Sequence, residues 1–183
     1  MRNSHAADCC GRRGYELTMI KHHLVISMSS FFFGLFGVSW DGVDEKIDDE
    51  FPAVQFIEID ELEALYAEGI EPHIIDVRAP NEFAVSHLQT ALNLETATEI
   101  ANAVPDKNTE IVVYCSVGYR SAGVAAELQA LGYSNVKNLK HSIFAWASQG
   151  LPMVDKQGNT HLVHPYNRIW GRLVPSSLHS YEP

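Results

Sequence analysis

Cys115 is followed by Gly118 and Arg120 in the run Cys115-Ser116-Val117-Gly118-Tyr119-Arg120-Ser121. The run begins where Ile111-Val112-Val113-Tyr114 ends and leads into a helix-forming stretch, Ala122 to Leu131. A short loop from a strand into a helix turns several backbone N–H groups inward, and the helix dipole adds partial positive charge. A thiol held there is expected to have a lowered pKa, because its thiolate gains those hydrogen bonds. Arg120 contributes a permanent positive charge, and Gly118 allows a backbone conformation that a Cβ would penalise. The chemistry these residue types point to is that of a nucleophilic thiolate in an anion-binding loop. A lone cysteine is ordinarily just a small buried apolar residue. Here the strand, the glycine, the arginine and the helix together argue for reactivity.

The elements that must position this loop follow from hydrophobic periodicity. Ile111 to Tyr114 has no polar face, which suits a central strand covered on both sides. Further strands are predicted at Val54, Phe56, Ile57 and Ile59, at Ile74-Ile75-Asp76-Val77, at Leu92-Asn93-Leu94 and at Val136 to Leu139. Helices are predicted after Asp60, whose spacing to Glu63 suits a capping box, after Pro80, over Ala97 to Val104 and over Ile143 to Gln149. Strands and helices alternating at these lengths imply an α/β domain with a largely parallel central sheet flanked by helices in three layers. In such sheets ligands bind at the carboxyl ends of the strands, where Cys115 lies.

Three segments resemble the rhodanese-like sulfurtransferases. The Cys115–Ser121 loop looks like their active-site loop. Asp76-Val77-Arg78-Ala79-Pro80-Asn81-Glu82-Phe83 with His87-Leu88 resembles their second element. Asn138-Leu139, Ile143-Phe144-Ala145-Trp146 and Gly150-Leu151-Pro152 resemble their closing element. The resemblance spans residues 53–155. Two departures fall at turns: Ser86 stands where the family usually has glycine before His, and His141-Ser142 replaces Gly-Gly or Gly-Ser.

The resemblance implies a persulfide enzyme that needs neither metal nor organic cofactor. Cys115 would take a sulfane sulfur from thiosulfate or a persulfide and pass it to a thiol or cyanide-like acceptor. Ser116, Val117, Gly118, Tyr119, Arg120 and Ser121 would bind the persulfide, with Asp76, Arg78, Glu82 and His87 in support. Four residues separate Cys115 from Arg120. Phosphatases of this fold have one more, so the shorter loop favours sulfur over phosphorus. A single loop cation facing a dianion favours a persulfide on a protein or small thiol over thiosulfate as the donor. Two other readings stay open at this point. One is a non-catalytic binding module; the other is a redox sensor in which Cys9 or Cys10 resolves an oxidised Cys115.

The remaining residues carry plainer expectations. Arg78 and Glu82, four apart, are read as a structural ion pair. His87 is expected to be hydrogen-bonded and partly buried rather than a general base. Trp146 is expected in the core, and Tyr119 at the loop mouth. His161 and His164 lack a third ligand for a metal, as do His22-His23 and Cys9-Cys10.

Charge and composition bound the rest. The chain carries 13 Lys and Arg against 23 Asp and Glu, a net charge of −10, which argues against a nucleic-acid partner. The acidic excess is concentrated in residues 41–110. Residues 1–40 read as a leader: a mis-assigned start, a signal or an anchor, with an uncharged run from Leu24 to Trp40. Residues 41–52 read as an acidic, solvated linker, and 156–183 as an aromatic C-terminal extension. In that extension Tyr166 and Trp170 fold back on the domain, or residues 161–174 dock a partner through Arg168 and Arg172. Three cysteines fit a reducing compartment and a cytoplasmic location, with membrane association or export through residues 24–40 as the alternative.

Overall fold

A computed structural model of the chain describes residues 37–183. Cys9, Cys10, His22, His23 and most of the leader therefore lie outside the described residues. Among those described, no helix is long and apolar enough to cross a membrane, and no group of His, Cys, Asp and Glu is arranged to hold a metal ion.

The first described helix, α1 (Trp40–Glu50), corrects the linker reading. Ser39 caps it by accepting the Gly42 N–H at 3.2 Å, and Val43 and Ile47 are buried in the core. Trp40, Val43 and Ile47 form one apolar stripe at helical spacing, and the acidic residues occupy the remaining surface.

Strand β1 (Gln55–Ile57) leads into α2 (Ile59–Ala67), whose start is set by Glu61 accepting the Glu58 N–H rather than by the expected Asp60–Glu63 pair. Ile59 is thus the buried first residue of the helix, not the last of a strand. Strand β2 (His73–Asp76), helix α3 (Pro80–Val85), and the short strands β3 (His87–Leu88) and β4 (Leu92–Asn93) follow. Helix α4 (Ala97–Ala103) is capped by a reciprocal Thr96–Glu99 pair. Then come β5 (Ile111–Tyr114), α5 (Tyr119–Ala130), β6 (Val136–Leu139), α6 (Ser142–Ser148), β7 (Met153–Asp155) and β8 (Gly158–Thr160).

The main sheet has five strands in the order β1-β6-β5-β2-β4, all parallel. Strand β5 is the middle one, and all four of its residues are fully buried. Successive side chains on a strand point to opposite faces, so this burial means that both faces of the sheet are covered.

A second, antiparallel sheet, β3-β7-β8, was not expected. Its β7–β8 hairpin crosses the predicted boundary at residue 155, so the C-terminal extension begins inside the fold. Beyond the hairpin, Val163 forms a bridge with His179, and Val163 and Val174 join the hydrophobic core. Trp170 packs against that core, as expected of a segment that folds back.

Candidate active site

Cys115 lies just past the end of β5 and is 1% exposed. Two neighbouring elements, β6 and α6, fix its loop. The Cys115 N–H donates to Ser142 Oγ at 3.1 Å, and that hydroxyl donates in turn to Leu139 O. The Ile143 and Phe144 N–H groups, at the start of α6, donate to the Cys115 and Ser116 carbonyls. Asn138, on β6, donates to the Gly118 carbonyl at 2.9 Å and accepts the Ser121 hydroxyl at 2.7 Å. Val117 is buried and anchors the loop in the core.

Gly118 has φ +102°, the left-handed conformation expected for it, and its N–H points at Cys115 Sγ from 3.2 Å. A Cβ there would meet its neighbours only at 3.6 Å and beyond, so the need for glycine is conformational rather than steric. Burial pushes the Cys115 thiol pKa up. The Arg120 charge, the Ser121 hydroxyl and N–H, and the Gly118 N–H outweigh that effect and hold it below an ordinary thiol. The loop thus favours the thiolate.

Arg120 does not stand free. Its Nη1 and Nη2 donate to the two Glu82 carboxylate oxygens at 2.9 and 2.8 Å, and Nη2 also donates to Ser116 Oγ at 3.0 Å. The Ser116 hydroxyl donates to Glu82 Oε1. Burial works against the Glu82 carboxylate, but Arg120, Arg78 and the Ala79 N–H hold its pKa below the usual value.

This arrangement corrects the expected Arg78–Glu82 pair. Arg78 pairs instead with Asp76, through Nε at 2.9 Å and Nη2 at 2.6 Å, and both side chains are fully buried. The same Nη2 donates to the Ser86 carbonyl at 2.6 Å, which ties β2 to the entry of β3. His87 behaves as expected of a structural histidine: its Nδ1 lies 3.1 Å from Phe83 O and its ring stacks on Phe83. Trp146 is buried, with its indole N–H on Pro152 O. Tyr119 is turned towards α1, not left at an open mouth. Its hydroxyl donates to Glu50, Lys46 lies over its ring, and Phe51 packs beside it.

Several site residues escaped sequence reasoning. Ser142 and Asn138 hold the loop, yet only their place in the closing motif pointed to them. At the His141-Ser142 departure the backbone keeps φ values of +56° and +51°, which strain residues bearing a Cβ. Both side chains have partners there: Ser142 receives the Cys115 N–H, and the His141 ring packs at a tilt against Trp40 with Nε2 at 3.0 Å from Asp44. Ser86, the other departure, is extended at φ −170° and needs no glycine. Tyr166 of the C-terminal extension reaches the site, with Arg120 Cζ 4.8 Å from the centre of its ring.

Fold and loop together define a parallel α/β domain with an amide-cradled cysteine thiol of lowered pKa at the end of its central strand. Within that class the chain belongs to the rhodanese-like domain family, whose model matches residues 58–149. It is 42% identical over 69 residues to the thiosulfate sulfurtransferase PspE of Escherichia coli (strain K12), a match covering 36% of this chain and 66% of that protein. It is 34% identical over 106 residues to a sulfurtransferase of Allochromatium vinosum, covering 57% of this chain and 99% of that one. The crystal structure of a thiosulfate sulfurtransferase from Pseudomonas aeruginosa shares the fold, with a TM-score of 0.55 at 22% identity. That match covers 62% of this chain and 22% of the other.

Proposed function

We propose that the protein is a sulfurtransferase that works through a persulfide on Cys115. The observation that carries this reading is the Gly118 N–H aimed at Cys115 Sγ beside Arg120, an arrangement that stabilises a sulfur anion at the mouth of a parallel sheet. The Cys115 thiolate attacks the sulfane sulfur of the donor. The donor's S–S bond breaks, and its electron pair leaves on sulfite from thiosulfate, or on a thiolate from a persulfide. An acceptor thiolate then attacks the outer sulfur of the Cys115 persulfide and returns Cys115 as thiolate. The two halves balance without an oxidant or reductant.

The donor favoured is a persulfide on a small thiol or protein. Arg78 and Arg120 are each matched by a carboxylate, which leaves little positive charge at the site to attract a dianion. The Cys-to-Arg spacing and the sulfurtransferase relatives both support sulfur over phosphoryl transfer.

The test is intact-mass spectrometry of the full chain after incubation with thiosulfate or with glutathione persulfide. The expected result is a gain of one sulfur atom on Cys115 that cyanide or a thiol removes, and that Cys115→Ser abolishes. An alkylatable Cys115 that gains no sulfur from either donor would overturn the reading.

A further inference from the structure

We propose that Tyr166 is a specificity-determining residue that disfavours dianionic donors by packing its ring against the Arg120 guanidinium. The inference rests on the sulfurtransferase reading and names the residue that sets its donor class.

Glu82 and Ser116 engage three of the five N–H donors of Arg120, so an incoming anion is left with the remaining edge of the guanidinium and its faces. The Tyr166 ring crowds that remaining approach, with Arg120 Cζ over it at 4.8 Å from its centre, a cation–π arrangement. Thiosulfate concentrates two negative charges close to the reacting sulfur and must meet an existing thiolate, so it depends on access to a cation. A persulfide brings one charge at most to that position, and the carboxylates of glutathione lie far from the reacting atom.

Tyr166 is held in place by a built turn rather than by chance packing. Its N–H donates to Nδ1 of the buried His164 at 3.1 Å, and its backbone adopts φ +60°. Pro165 O accepts the Asn167 N–H at 2.7 Å, and Asn167 Oδ1 accepts the Ile169 and Trp170 N–H groups. The residue is 45% exposed, so the left-handed turn does not serve to bury an aromatic in the core. It sets the ring over an ion pair beside the nucleophile, and strain kept at such a place points to function. Tyr166 also lies beyond residues 58–149, so the extension adds this ring to the matched domain.

The experiment compares alkylation of Cys115 by anionic iodoacetate and neutral iodoacetamide in the full chain, read by peptide mass spectrometry. Tyr166→Gly relieves the left-handed backbone while removing the ring. Tyr166→Asn, a residue that tolerates the same conformation, provides a second ring-free variant. Both are expected to raise the iodoacetate-to-iodoacetamide rate ratio about threefold or more, the size of a lost cation–π contact. Tyr166→Phe keeps the ring and is expected to keep the wild-type ratio.

In the sulfur-transfer assay the ring-free variants are expected to lower KM for thiosulfate and to leave KM for glutathione persulfide within about twofold. An unchanged or lower alkylation ratio in the folded ring-free variants overturns the inference. Alkylation does not depend on sulfur transfer, so this outcome is distinct from failure of the functional reading, which shows as no sulfur gained by Cys115 from either donor.

Discussion

Asp76–Arg78 and Glu82–Arg120 are both bidentate arginine–carboxylate pairs, yet they serve different ends. Arg78 and Asp76 are sealed from solvent, and Arg78 also supports the Ser86 carbonyl. The Arg120 side chain is 34% exposed, and its charge acts on the Cys115 thiol. One pair is a staple that the interior cannot release. The other lowers the Cys115 thiol pKa and meets solvent and Tyr166. Solvation and distance from the sulfur separate the two roles, not the chemistry of the pair.

The largest expected effect breaks the staple. Arg78→Met strands the buried Asp76 charge and is expected to cost about 3–5 kcal/mol in urea unfolding. Adding Asp76→Asn removes the stranded charge and is expected to recover part of that loss. A cost of Arg78→Met below about 1 kcal/mol would remove the distinction between the pairs.

Next in size, Arg120→Met removes the cation that offsets burial of the thiol. The midpoint of the pH dependence of Cys115 alkylation by iodoacetamide is expected to rise. The reaction at neutral pH is expected to slow roughly tenfold for each pH unit by which that midpoint moves. Its cost in stability is expected to be smaller than that of Arg78→Met, because Glu82 keeps Ser116 and Ala79 as donors.

A smaller effect follows from acid titration of Glu82. Its pKa is lowered in the fold from an ordinary value of 4.5, so the stabilisation it brings is fully present above that pH and is lost as pH falls through the folded value. The difference in stability between wild type and Glu82→Gln is therefore expected to shrink below about pH 4.5 in urea unfolding series.

The smallest concerns the turn that carries Tyr166. Burial lowers the His164 pKa, with the Arg78 and Arg120 charges adding to it and Glu82 opposing. The neutral ring keeps Nδ1 as an acceptor, so its contribution is complete above its ordinary 6.5 and fades as pH falls below that. Amide exchange at Tyr166, corrected for intrinsic rates, is expected to show an opening cost under about 1 kcal/mol lower in mild acid than at neutral pH. An unchanged opening cost would show that the turn does not depend on His164.

Much of this was legible in the residues themselves. The apolar run Ile111–Tyr114 predicts the central strand because its four residues are all β-formers and leave no polar face, which suits a strand covered on both sides. Gly118 and Arg120 beside Cys115 predict an anion cradle because loop amides and a helix start are local features. The linker reading of residues 41–52 failed for an equally physical reason: charge density there outweighs the three-residue stripe of Trp40, Val43 and Ile47 that makes the segment a helix of the core. The Arg78–Glu82 pairing failed because the spacing rule holds within a helix, and Arg78 precedes Pro80, where α3 begins.

Local periodicity and a short motif thus determined the fold class and the Cys115 loop between strand and helix. Only the tertiary structure decided which carboxylate each arginine meets, that Ser142 and Asn138 hold the loop, and that α1 and Tyr166 close on it from outside the matched domain. Those contacts join residues such as Glu82 and Arg120, 38 positions apart in the chain. This contact forms because the parallel strands β2 and β5 bring their carboxyl ends to one edge of the sheet, and it leaves no period in the sequence.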